Sequence, residues 1–404
     1  MKKQMNYWKV LLSGAALFTT IALISSCNKE GNPNDPPAGN ASAQELKCDY
    51  FNQDRILTDN PDAPVDYIID CNLSINKYKV EIEPGVVIEM KQGTSILIEN
   101  DGLLTAKGTS DKPIVIRGVE RERGYWVGIM FRTANPLNQL SYVMLSDAGA
   151  TKFSNGYSGG VMVYSGSALK MNNTTITNCK GNGFDSHLFT KDLTLNNNVF
   201  KDNESPAHIA PGDINAFNGS NKCAGNDNEF VSVQVYTNTI GTATWHKLDV
   251  KYKLINMALN DNLSIQANAL LTIQPGVEIE FPAKGYLNTG DDGMLKAIGT
   301  ANDPIIFTGT SKAPKAWKGI KINSKSPENQ IQHAIIEYSG FGEPGANVHL
   351  WYNSMLNIDN VTFRNIAGCG VNTKLFNDQT SNPNLTVGSN VIVEGNGCVL
   401  GEWN

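Results

Sequence analysis

The chain has 404 residues, of which 18% are charged and 8% aromatic, and its formal net charge is −6. A net acidic surface repels nucleic acid and gives no electrostatic handle on acidic polymers. Of its seven cysteines none forms a C-x-x-C pair, which argues against a metal knuckle.

Lys2, Lys3 and Lys9 precede an apolar run from Val10 to Ile24, closed by Ser25-Ser26-Cys27. A basic start, a short apolar stretch and small residues predict a secretory signal, and the run is short for a transmembrane helix. Ile24-Ser25-Ser26-Cys27 resembles the lipobox of bacterial lipoproteins, in which the cysteine becomes the lipidated first residue. That resemblance implies that residues 1–26 are removed and that Cys27 carries the anchor. It also makes Asn28, directly after the cysteine, compatible with sorting to the outer membrane. Loss of residues 1–26 removes three lysines and no acid, taking the net charge from −6 to −9. No long apolar segment follows, so the expected attachment is by lipid and not by a span. Residues 27–47 are rich in Asn, Pro, Gly and Ala and read as a flexible tether. The other six cysteines, Cys48, Cys71, Cys179, Cys223, Cys369 and Cys398, would sit in an oxidising compartment, where disulfides are permitted but their connectivity is open.

From residue 48 onward the chain repeats itself. IEPGVVIEMKQGTSILIENDGLLTAKGTSDKPIVIRG (82–118) is answered by IQPGVEIEFPAKGYLNTGDDGMLKAIGTANDPIIFTG (273–309), at an offset of 191. The match continues through Trp126-Val127-Gly128-Ile129 against Trp317-Lys318-Gly319-Ile320, and Asn138-Gln139-Leu140 against Asn329-Gln330-Ile331. The duplication predicts two tandem units, 48–249 with a junction and 250–404. Within each lies a finer period: LKMNNTTITN (169–178) recurs 24 residues later as LTLNNNVFKDN, and LNIDNVTFRN (356–365) recurs 29 residues later as LTVGSNVIVEG. Each segment alternates apolar and polar residues, which is strand periodicity, with Gly, Asn, Asp and Pro between.

Short strands at a period of 20–30 residues predict a solenoid in which no coil buries its apolar face alone. Asn178, Asn203 and Asn365 suit its bends, since asparagine tolerates left-handed geometry and stacks by hydrogen bonds. At about 24 residues per coil, residues 66–404 give about 14 coils and a rod of roughly 65 Å.

The IEPG…G-x-L-x-A-x-G-T…P-I-x-[IF] signature, followed by W-x-G-I and N-x-x-x-[FI]-x-x-N coils, resembles right-handed parallel β-helix lipoproteins of bacterial envelopes. These share the pectate-lyase-like architecture, which hosts lyases, hydrolases and adhesins. The implied fold class is all-β, a right-handed parallel β-helix. Aligning the last two coils on Phe363 and Ile392 superimposes Cys369 on Cys398, and stacked neighbours lie near the separation a disulfide requires. Cys179 with Cys223 fits less well.

No catalytic motif of the enzymes on this fold is present, and no catalytic residue, metal ligand or cofactor is assigned. Asp291-Asp292-Gly293 answers Asn100-Asp101-Gly102, and both read as turns. Asp185-Ser186-His187 with Lys191, read as a surface loop, differs between the copies; an acid, a His and a Lys on adjacent turns suit acid–base chemistry or ligand contact. Trp351-Tyr352 answers Tyr164-Ser165, and on a solvent-facing sheet such rings form platforms for sugars. Candidate ligand-binding residues are therefore Trp351, Tyr352, Tyr164, Asp185 and His187. Trp126 and Trp317, equivalent and each ahead of a Gly-Ile strand, read as packing. Two functions stay open. One is a non-catalytic envelope protein that binds a glycan or a protein partner, or serves as a scaffold. The other is a polysaccharide lyase or glycosidase.

Overall fold

The computed structural model describes residues 41–404 except 151–157, 187–188, 236–238, 256–261, 343–346, 377–378 and 404. The signal segment, Cys27 and His187 lie outside the described residues. The described residues belong to one compact unit, a right-handed parallel β-helix of about 12 turns that includes the short 3-10 segments Cys48–Phe51 and Pro211–Ala216.

In the first half each turn gives one strand to each of three parallel ladders. Face one holds Tyr67–Ile69, Val87–Met90, Ile114–Gly118, Val143–Ser146, Thr175–Thr177 and Val199–Lys201, begun by Gln44–Leu46. Face two holds Leu73–Ile75, Ser95–Glu99, Gly128–Arg132, Gly159–Val163, Asn182–Ser186 and Ser205–Ile209. Face three runs from Arg55–Leu57 to Asp192–Asn196. Alternate side chains point into the coil and stack on like positions above and below. Ile129, Val161, Phe184, Ala207 and Val231 are successive register partners on face two, and all are buried. Further inside, Phe200 stacks on Phe217 with centroids 5.7 Å apart, and Phe184 leans on Phe200 at 6.2 Å.

The repeated glycines have backbone reasons. Gly85 and its counterpart Gly276 take φ of +94° and +76°, which a side chain resists. A Cβ on Gly108 would lie 2.5 Å from the Tyr142 carbonyl oxygen, and one on Gly299 would lie 2.3 Å from that of His333. The bend asparagines divide their labour. Asn178 and Asn365 adopt φ of +52°, whereas Asn203 donates from Nδ2 to the Ile176 carbonyl at 3.0 Å and accepts the Cys179 N–H at 3.0 Å.

Two expectations about register change. The 24-residue period underestimates the length of coils that carry long loops and so overcounts the coils: Ile88 pairs with Ile116, and Ile116 with Leu145, so those turns take 28 and 29 residues. About 12 turns then make a rod of roughly 58 Å. In the last turns Leu356 pairs with Leu385 as aligned, but Phe363 pairs with Val393 and not with Ile392. Gly388 to Val391 use four residues where Asp359 to Val361 use three, so Ile392 is turned to solvent at 50% exposure. Cys369 and Cys398 are bonded, with Cα atoms 4.4 Å apart, and Cys48 is bonded to Cys71 across the first coils; Cys179 and Cys223 are free and buried.

The described chain is one continuous rod, because the ladder of face two does not stop at the junction. Ser205–Ile209 pairs with Phe230–Gln234, which pairs with Lys251–Ile255, which pairs with Glu278–Phe281. Glu278–Phe281 is the sequence counterpart of Val87–Met90, a strand of face one. Face one has its last strand at Val199–Lys201, and a fresh ladder begins at Thr239–Ile240. It runs through Asn262–Ile265, Tyr286–Asn288, Gly319–Ile322, Val348–Trp351, Val371–Lys374 and Leu400–Trp403. Equivalent strands of the two copies therefore occupy different ladders. The short Pro211–Ala216 segment marks the change: Asn215 Oδ1 accepts the Thr244 N–H at 2.7 Å and its Nδ2 donates to the Thr242 carbonyl at 3.3 Å.

Candidate ligand-binding groove

The fresh ladder carries the aromatic side chains on its outer surface. In Val348–Trp351 the period of two sends Val348 and Leu350 into the core and leaves His349 and Trp351 outside. Lys321 is the register partner of His349 one turn earlier, and Lys321 Nζ stands 4.3 Å from the Trp351 ring centroid. Tyr352 ends the strand at φ of +53°. Its ring lies edge-on to Trp351 at 5.9 Å and stacks on Phe376, one turn further on, at 4.4 Å and 22°.

Two hollows open on either side of this cluster. The first, about 340 Å³, is lined by Tyr286, Lys318, Phe341 and His349. The second, about 330 Å³, is lined by Asp291, Asn323, Lys325, Tyr352, Asn353 and Phe376. Both share Lys321 and Trp351, which makes them one groove with Trp351 between its halves. Lys318 Nζ lies 5.1 Å from the Tyr286 ring, and Lys284 Nζ 5.9 Å from the Phe341 ring. Burial holds the Lys321 ammonium below its usual pKa, with the Asp291 carboxylate opposing that effect. The arrangement offers flat apolar faces beside hydrogen-bonding and cationic groups, the two elements that bind a pyranose ring and its substituents.

The sequence candidates separate in space. Trp351 and Tyr352 form the centre of the groove. Tyr164, the counterpart of Trp351, follows a strand of face two and has the Arg132 guanidinium 5.4 Å from its ring. Asp185 is not in a solvated loop: it belongs to the strand Asn182–Ser186 and is 1% exposed. Register puts it on the outer side of face two between Met162 and His208, and all three side chains are buried there. Asp185 Oδ2 accepts from Asn182 Nδ2 at 3.0 Å, Oδ1 has no partner, and burial pushes its pKa well above the usual carboxylate range. His208 places Nδ1 2.9 Å from Ser232 Oγ. His187 lies outside the described residues.

Other readings take a definite form. Trp126 and Trp317 are fully buried and donate Nε1–H to the carbonyls of Ser146 and Glu337 at 2.7 and 2.8 Å. Asp291 lies on a bend, as a turn residue should, and its carboxylate also lines the second hollow. Tyr286, Lys321, Phe341, Lys325 and Phe376 were not picked out from the sequence. They are scattered over 90 residues with no local motif. A coil-by-coil register linking Asn288, Lys321 and His349 would have been the signal.

Among the described residues, no group of three or more His, Cys, Asp or Glu side chains is arranged to hold a metal ion, and no helix is long and apolar enough to cross a membrane.

Fold and groove together define a right-handed parallel β-helix with an aromatic groove on one outer face. Residues 241–349 match the family model described as the pectate-lyase like beta helix domain, a stretch that holds the residues lining the first hollow except Trp351. No curated protein and no solved structure matches the chain.

Proposed function

We propose that this is a non-catalytic envelope protein, anchored through a lipid on Cys27, that binds a glycan chain in the groove centred on Trp351. The observation that carries the reading is the aromatic cluster of half-buried Trp351 and Tyr352 with exposed Phe376, and Lys321 over the indole, on the outer side of the sheet. Such rings bury the apolar side of a sugar, while the flanking amides and ammonium groups take its polar substituents. The anchor rests on the lipobox-like Ile24 to Cys27, and the tether of residues 28–46 would hold the rod off the membrane.

One observation favours a second reading, a polysaccharide lyase or glycosidase. Asp291 shares the second hollow with Lys321 and Lys325, and Lys321 is the lysine whose pKa is lowered by burial. Incubating full-length protein in detergent micelles with a panel of polysaccharides tests both. The expected result is retention on one or more polymers with no new reducing or unsaturated ends. Release of such ends would overturn the non-catalytic reading, and absence of binding to every polymer would overturn glycan recognition.

A further inference from the structure

The chain as a whole is acidic, yet the groove is lined by lysines, and the two hollows differ in charge. Lys321 reaches both, whereas Asp291 lines only the second, where Lys325, Asn323 and Asn353 also lie. Lys318 and His349 border the first, which has no acid among its described lining residues. A sugar carboxylate or sulfate placed at the Lys321 edge of the first hollow gains a charge-assisted hydrogen bond. The same group in the second hollow meets the Asp291 carboxylate as well as Lys325, and the like charge offsets part of the attraction that the first hollow gives in full. An uncharged sugar in the second hollow rests instead on the Tyr352–Phe376 stack, with its hydroxyl or amide N–H groups donating to Asp291.

We propose that the groove selects a glycan in which an acidic sugar adjoins an uncharged one, the acid seated against Lys321 in the first hollow and its neighbour in the second. This deepens the glycan-binding reading and rests on it. A polymer with an acidic group on every sugar fits less well, because one of them must face Asp291. A neutral polymer loses the Lys321 contact.

The test is calorimetric titration of full-length protein in detergent micelles with three oligosaccharides of equal length: alternating glucuronate and N-acetylglucosamine, uniform galacturonate, and neutral β-glucan. The alternating oligosaccharide is expected to bind tightest. Lys321→Gln should weaken it about tenfold while changing the neutral probe less than about twofold. Asp291→Asn should narrow the gap between the uniform and the alternating probes. The proposal is overturned if uniform galacturonate binds wild-type protein as tightly as the alternating chain, or if Lys321→Gln weakens all probes alike. In both cases glycan binding itself survives, provided Trp351→Ala weakens it roughly tenfold. If no probe binds, the broader reading fails too.

Discussion

Tyr164 and Trp351 occupy equivalent points of the internal repeat yet extend different ladders of the rod, Tyr164 after a strand of face two and Trp351 on the ladder that begins at Thr239. Sequence equivalence here does not give two copies of one site. Only Trp351 has the neighbouring Tyr352–Phe376 stack and the lysine above it. Trp351→Ala should therefore weaken glycan binding roughly tenfold, while Tyr164→Ala leaves it unchanged. Affinity electrophoresis of the two variants checks this, and equal losses would contradict it.

Asp185 sets a pH dependence. Its folded-state pKa is raised, so the native state holds a proton that the unfolded chain gives up near pH 4. Below that pH the group costs nothing extra. As pH rises from there toward the folded value, stability is lost. Asp185→Asn cannot ionise, so thermal unfolding of variant and wild type should coincide in acid and diverge in the variant's favour toward neutral pH. The gap should widen with each pH unit above the unfolded value until the folded value is passed, because the wild-type carboxyl must either keep its proton or ionise without water. A constant difference across pH would show that the proton is not involved.

Asn198 is a fully buried bend residue whose carboxamide joins three coils. Its Oδ1 accepts the Thr174 N–H at 3.0 Å, and its Nδ2 donates to the Met171 carbonyl at 3.0 Å and to Asn221 Oδ1 at 2.9 Å. Asn198→Ala strands those groups without water and should cost about 2–4 kcal/mol by chemical denaturation. Asn198→Asp should not restore it, because a carboxylate has no N–H for Met171. Full rescue by Asp would rule this account out.

The disulfide between Cys369 and Cys398 spans 29 residues and ties the last coil to the one before it. Coils interact chiefly with their neighbours, so its loss should act locally. The double Cys369→Ser, Cys398→Ser variant is expected to lose about 2–4 kcal/mol of local stability. Hydrogen exchange should show faster exchange at Leu385–Trp403, with little change at Gly128–Arg132. Uniform loss of protection along the rod would show that the coils are more strongly coupled than this.

Much of the fold was legible because it is written in local pattern. The alternation in LKMNNTTITN and LTLNNNVFKDN gives the pairs Leu169 with Leu193 and Ile176 with Phe200, as the period alone requires. Cys369 and Cys398 stand at like positions for the same reason. Where corners change length, the pattern slips: one added residue after Val387 moved Ile392 from the core to solvent.

Chain order thus determined that strands would stack and which side chains would face inward, since a period of two and a repeated spacing are properties of consecutive residues. The tertiary structure alone decided which outer residues meet. Lys321, Trp351 and Phe376 come together because three turns lie on one ladder, and Tyr164 is elsewhere because the ladders change identity at Phe230–Gln234. Inward positions are dictated turn by turn by burial, but the rotational offset between the copies is set at one junction, and no local preference encodes it.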